Sequence, residues 1–325
     1  MLLTRPIGVP LVILALASLL AIGLSVAIGS VALTLTDLGA VLFGDAPALH
    51  RTLVLELRLP RTLAAFATGG LLAVAGALMQ VLLRNPLADP YVLGLSGGAA
   101  VGALLAMLAG LGGLLVSGSA FAGALLSTLM VFGLAHGTGS WTPSRLLLTG
   151  VVVAAGWGAV ITLMLSISPA RELPGMLYWL MGDVSYARTP WPGLVLLTLI
   201  CLVVIPLGRS LNVLARGPLQ AAALGISVRP MEWLIYLLAS LLTATAVTMA
   251  GSIGFVGLVV PHMLRLVLGN DQRLILPACA FAGGTLLVLA DTLARVVIAP
   301  EQLPVGVITA LLGVPTFLYL LYRSR

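Results

Sequence analysis

The sequence predicts an all-α integral membrane protein of about ten transmembrane helices, some short or partial, organised as a single transmembrane domain over residues 1–325. Three observations predict it. Of the 325 residues 60% are hydrophobic and only 8% charged. The mean hydropathy is +1.18. Apolar runs close to the roughly 20 residues that cross a bilayer recur along the chain. A soluble domain averages about 25% charged residues, so the surface of this chain is built for lipid.

The elements follow in order. Arg5 precedes an apolar run from Ile7 to Leu33, far longer than the roughly 7–15-residue core of a cleavable signal, so it reads as a first membrane helix over about 8–30. Further spans are predicted near 62–83, 91–110, 114–135, 146–167, 191–207, 231–250, 254–268, 274–295 and 306–322. The eighth is short and opens on Gly251, Gly254 and Gly257, which predicts a partial helix packed inside protein. Between the sixth and seventh spans, 208–230 carries its own helical signal: Pro218 suits a first turn, Leu219 to Leu224 continue it and Gly225 can end it. A short helix is expected there on the cytoplasmic face. Many glycines fall within spans, among them Gly69, Gly70, Gly76, Gly97, Gly98, Gly102, Gly156 and Gly158. Small residues let membrane helices approach closely, the expected role of most of these.

Charge sets the orientation. With a cytoplasmic N-terminus, Arg5, Arg84, Arg145, Arg209, Arg216, Arg229, Arg265, Arg273, Arg323 and Arg325 lie inside, and Arg51, Arg58, Arg61, Arg171, Arg188 and Arg295 outside. The acids divide as Asp89, Glu232 and Asp271 inside, and Asp37, Asp45, Glu56, Glu172, Asp183 and Glu301 outside. Ten arginines against six is the bias of the positive-inside rule, and it places both termini in the cytoplasm.

Several chemistries are excluded or disfavoured. All sixteen basic residues are arginines, dispersed between apolar runs, unlike the continuous basic face that nucleic acid requires. Without a lysine the chain has no Walker-type phosphate loop, so any ATP hydrolysis belongs to a separate subunit. Cys201 and Cys279 lie in apolar segments, and His50, His136 and His262 are too scattered to suggest a zinc site; neither a metal nor a cofactor is expected. Asp291, deep in the ninth span, is the candidate coupling group of an ion-driven carrier. Arg295 lies one turn on, and the cost of a lone charge in lipid favours an ion pair over a relay. His262 and Arg265 share a helix face, but no second ligand or base accompanies them, which favours a structural or partner-contact role over catalysis.

The stretch RLPRTLAAFATGGLLAVAGALMQVLLRNPLADPYVLGLSGGAA, Arg58 to Ala100, resembles the signature region of the metal-chelate permease family that serves ferric siderophores, haem and vitamin B12. GSIGFVGLVVPHMLR from Gly251 and LPVGVITALLGVPTFLYLL from Leu303 resemble two further signatures, joined by SRLLLTGV from Ser144 and AAALGI from Ala221. The resemblance implies the permease subunit of an ATP-binding-cassette importer in a bacterial inner membrane. Such a subunit pairs with a second copy, receives the metal chelate from a periplasmic substrate-binding protein and is driven by two ATPase subunits.

The same resemblance implies the sites. In the vitamin B12 branch outer arginines meet glutamates of the binding protein; the matching positions are Arg58, Arg61 and Arg295. The coupling loop matches 208–230, with Leu219, Gln220, Ala222 and Leu224 as candidate ATPase contacts and Ala221 or Ala222 as positions where charge should uncouple. Many relatives carry an acid directly after a glycine there, where this chain reads Arg216-Gly217-Pro218; that puts a charge-specific pairing in doubt. The fifth helix lines the path in relatives and here offers Gly150, Gly156, Gly158 and Thr162. An ion-gradient-driven secondary transporter is the alternative from another class, and an intramembrane enzyme a distant third.

Overall fold

The computed structural model describes residues 8–29, 33–44, 46–136, 142–187 and 189–323. Arg5, Asp45, Arg188 and Arg325 of the charge audit lie outside them. The described chain is helical throughout: α1 Gly8–Ala27, α2 Leu35–Phe43, α3 Ala48–Arg51, α4 Leu59–Leu82, α5 Leu95–Leu108, α6 Gly113–His136, α7 Pro143–Ile167, α8 Leu173–Met181, α9 Trp191–Val204, α10 Gly208–Leu214, α11 Pro218–Ala223, α12 Val228–Ala250, α13 Val256–Leu268, α14 Gln272–Val296 and α15 Val305–Arg323.

Each predicted span has its helix. Among the described residues six are long and apolar enough to cross a membrane, and α9 with α10, bent by 71°, gives a seventh; shorter apolar helices at α5, α13 and α15 complete the ten. Two predicted lengths are corrected. The third helix starts at Leu95 because Pro90–Leu93 forms a separate 3-10 turn, closed by Gly94 at φ 72°. The sixth stops at Val204, and the chain turns through Ile205–Leu207 into α10. At the predicted outer end α3 runs without a break through a π-helical stretch, Thr52–Arg58, into α4.

The core is organised around α4. Of its most apolar 18-residue window 89% is buried, against 11% for α7, so α4 is the central helix and α7 a peripheral one. Glycines make the close packing, because no side chain stands between the backbones. A methyl group at Gly69 would strike the Gly283 carbonyl of α14, and one at Gly76 the Gly257 carbonyl of α13. Gly98 and Gly123 seat α5 on α6 in the same way. Polar groups add a few ties: Ser25 of α1 shares a hydrogen bond with Thr62 of α4 (2.9 Å), and Tyr236 of α12 donates to the Thr128 carbonyl of α6 (2.8 Å).

The α12–α13 break is a backbone feature. Gly251 has φ 68°, and Phe255, with φ 69°, holds a conformation that costs a bulky residue strain. Val256, Gly257, Val259, Val260 and Pro261 are all buried, as expected of a partial helix inside the protein.

Candidate functional site

Charge is concentrated at the two ends of the bundle. At the predicted outer end, Arg58 and Arg61 leave the start of α4 on the side where α1 and α14 finish. Arg58 is 7% exposed, and its Nη1 donates to the Val26 and Ala27 carbonyls, both at 3.0 Å. These carbonyls end α1 and have no partner within their own helix, so Arg58 caps α1.

Arg61 reaches the other way. Its Nε and Nη2 donate to Asp291 at 2.9–3.2 Å, and its Nη1 donates to Gln302 at 2.7 Å. Asp291 is wholly buried. Its second partner is Arg295, one turn along α14, with Nε 3.1 Å from Oδ2. Arg295 also donates to the Ser25 hydroxyl at 2.7 Å. The predicted Asp291–Arg295 pair is present, then, as one half of a three-residue cluster. Asp183, just after α8, stands 3.7 Å from Arg61.

Arg58, Arg61 and Arg295 together line one cleft of about 160 Å³, walled by Gly29, Leu53, Leu57, Pro300 and Gln302. The carboxylates of Asp183 and Asp291 meet these guanidiniums without lining the cleft, whose charged wall is arginine alone. A cleft of this size and sign suits a single carboxylate, which a guanidinium binds through two parallel N–H bonds.

The sequence had proposed the three arginines but missed what holds them: Asp183, Gln302, Ser25, and the Arg61–Asp291 contact across 230 positions. One signal was available. A carboxylate inside a span needs a counter-ion, and the RLPR motif at the start of a span supplies a second arginine besides Arg295.

The predicted inner end carries the elbow. Gly217, φ 124°, opens α11 with Pro218 in its first turn, and Gly225, φ 79°, follows its end. Leu219 and Leu224 are 85% and 70% exposed, and Gln220 and Ala222 are exposed with them. Ala221 is fully buried. It faces the bundle, so this position, where charge was expected to uncouple, is a packing one, and charge there would disturb packing first. Asn212 of α10 donates to Asp271 (2.8 Å) and accepts the Gln272 N–H (2.7 Å), which latches the elbow to the start of α14.

The path candidates on α7 separate. Gly150 packs against the backbone of Val92 and Leu93 and is a packing glycine, which corrects its assignment to a path. Gly156, Gly158 and Thr162 are exposed, with open space beside both glycines. Gly158 and Thr162 share a face, the threonine hydroxyl donating to the Gly158 carbonyl (2.9 Å); Gly156, two residues earlier, points to the opposite side. His262 sets its ring edge-on to Phe317, with centroids 6.5 Å apart. Arg265 donates to Gln80 of α4, a packing role for both.

An all-helical bundle with an uncharged middle, a guanidinium cleft at one end and an exposed short helix at the other defines a polytopic membrane permease. The chain belongs to the FecCD transport family, whose model matches residues 14–323. It is 42% identical over 314 residues to a vitamin B12 import system permease protein of Vibrio cholerae, covering 95% of this chain and 94% of the relative. It is 40% identical over 280 residues to a hemin transport system permease protein of Yersinia pestis, covering 83% of each. A metal-chelate type ABC transporter solved in an inward-facing conformation superposes with a TM-score of 0.85 at 29% identity, over 96% of this chain and 98% of that one.

Proposed function

We propose that this chain is the membrane-spanning permease subunit of an ATP-driven importer that carries a metal chelate, such as vitamin B12, haem or a ferric siderophore, into the bacterial cytoplasm. It works as one transmembrane domain paired with a second copy, with both termini in the cytoplasm. Two ATPase subunits meet α11 through Leu219, Gln220, Ala222 and Leu224. A substrate-binding protein meets the opposite end.

The arginine cleft carries this reading. A cleft whose charged wall is arginine alone, at the end away from the elbow, is a receptor for an acidic side chain of a protein partner. Family membership supports the rest, as do the named functions of the B12 and hemin relatives. The chain holds no lysine with which to build its own phosphate loop. The secondary-transporter alternative loses its coupling group, because the Asp291 oxygens are taken by two guanidiniums.

Purification from native membranes tests the assignment. The permease should bring an ATPase with it, and uptake should stop with vanadate and survive collapse of the ion gradients. Uptake that follows the gradients and ignores vanadate would restore the alternative. Leu219→Glu with Ala222→Glu should leave the complex folded and abolish transport-linked ATP hydrolysis; normal coupling would remove α11 as the contact.

A further inference from the structure

Arg61 is held by contacts of unequal strength. Asp291 receives it at hydrogen-bond distance through two nitrogens, from a wholly buried position on α14. Asp183 stands at 3.7 Å, close enough for attraction and too far for a hydrogen bond. Of the two carboxylates, Asp183 is the replaceable one.

Its position gives the replacement a consequence. Asp183 follows Gly182, the residue that ends α8 at φ 77°. Its N–H donates to the Ala250 carbonyl at the end of α12 (2.8 Å), and its carboxylate accepts the Ser185 N–H (2.8 Å). The Gly182 carbonyl accepts the Gly306 N–H of α15 (3.1 Å). The turn 182–187 is therefore where α8, α12 and α15 meet, and α8 follows directly on α7, the most exposed span.

We propose that Asp183 is the group a docking carboxylate displaces from Arg61, so that arrival of the partner is passed through the turn 182–187 to α8 and α7. This rests on the reading of the arginine cleft as the docking site for a binding protein and adds to it a positioning residue. Asp291 stays in place and keeps Arg61 aimed into the cleft. The incoming carboxylate takes the place of Asp183 beside Arg61; were Asp183 to stay, Arg61 would face three carboxylates.

Asp183→Asn is the informative change, since asparagine can still accept the Ser185 N–H while losing the charge. The whole transporter, with its ATPase, is placed in lipid nanodiscs and followed by hydrogen–deuterium exchange with and without its own ligand-free substrate-binding protein. In the unmodified complex docking should raise exchange at 182–187. In Asp183→Asn exchange there should be raised already, docking should add nothing, and affinity should rise roughly fivefold or more, the lower end of ordinary coupling between sites. Exchange and affinity that match the unmodified complex would overturn the proposal. Arg61→Gln separates the two failures: docking that survives it removes the docking reading and this inference together, whereas docking lost in Arg61→Gln with Asp183→Asn behaving as unmodified removes this inference alone.

Discussion

Asp291 sits wholly buried between two guanidiniums, so its worth is best judged by what removing it leaves behind. Breaking a buried ion pair by deleting one partner costs about 3–5 kcal/mol, mostly because the other charge is stranded. Asp291→Ala should therefore lower the melting temperature in detergent sharply, while Arg171→Ala, which breaks the exposed pair with Glu172, should leave it unchanged. Equal effects would mean that the arginine cluster is not an internal clamp. At the opposite end Asp271 is a pH-sensitive counterpart. Hydrogen bonds from the Arg273 side chain, above all, hold its carboxyl down from the usual 3.8 to about 2. A depressed folded pKa stabilises above the unfolded value, and that stability is lost as pH falls from about 4 through 2. Acid titration of stability should show this loss in the unmodified protein and a smaller one in Asp271→Asn; identical curves would show that the Asp271 carboxylate and its Arg273 and Asn212 partners contribute nothing there.

Helices in this bundle are held by backbone proximity more than by polar contacts, and the glycines divide accordingly. Gly76→Val would drive a side chain into the Gly257 carbonyl and should cost about 1–3 kcal/mol or more through overpacking, seen as reduced yield and a lower melting temperature. Gly156→Val meets open space and should be tolerated; the reverse ranking would contradict the central place of α4. Spacing and composition made the ten helices and the α11 punctuation legible, since a run of about 20 apolar residues and a Gly-Pro…Gly frame are local signals. Where the sequence misled, the cause was also local. Pro90–Leu93 is apolar, so hydropathy cannot tell a 3-10 turn from the first turn of α5. Ile205–Leu207 is equally apolar, so the bend into α10 leaves no mark in a hydropathy window. The π stretch 52–58 adds a residue to a helical turn with no change of composition.

The whole molecule places its two charged sites at opposite ends of a single helix. α14 begins at the Asp271–Asn212 latch beside the elbow and finishes at Asp291 and Arg295 in the arginine cleft, so the surfaces proposed for the ATPase and the binding protein are joined through one element packed along α4. The sequence could name Arg58, Arg61 and Arg295 one by one, but not that Arg58 is spent on α1 or that Arg61 is shared among three segments, because those facts depend on contacts more than 30 positions apart. Gly150 was assigned to the path, and Ala221 to uncoupling by charge, for the same reason: small residues carry no signal of which side they face. ATP hydrolysis by the reconstituted complex tests the account most directly, measured with its substrate-binding protein loaded in turn with cobalamin, a ferric siderophore and haem. One loaded form should stimulate hydrolysis and drive uptake, and Leu219→Glu with Ala222→Glu should abolish both. A permease that associates with no ATPase, or takes up a chelate at full rate without ATP, would contradict it.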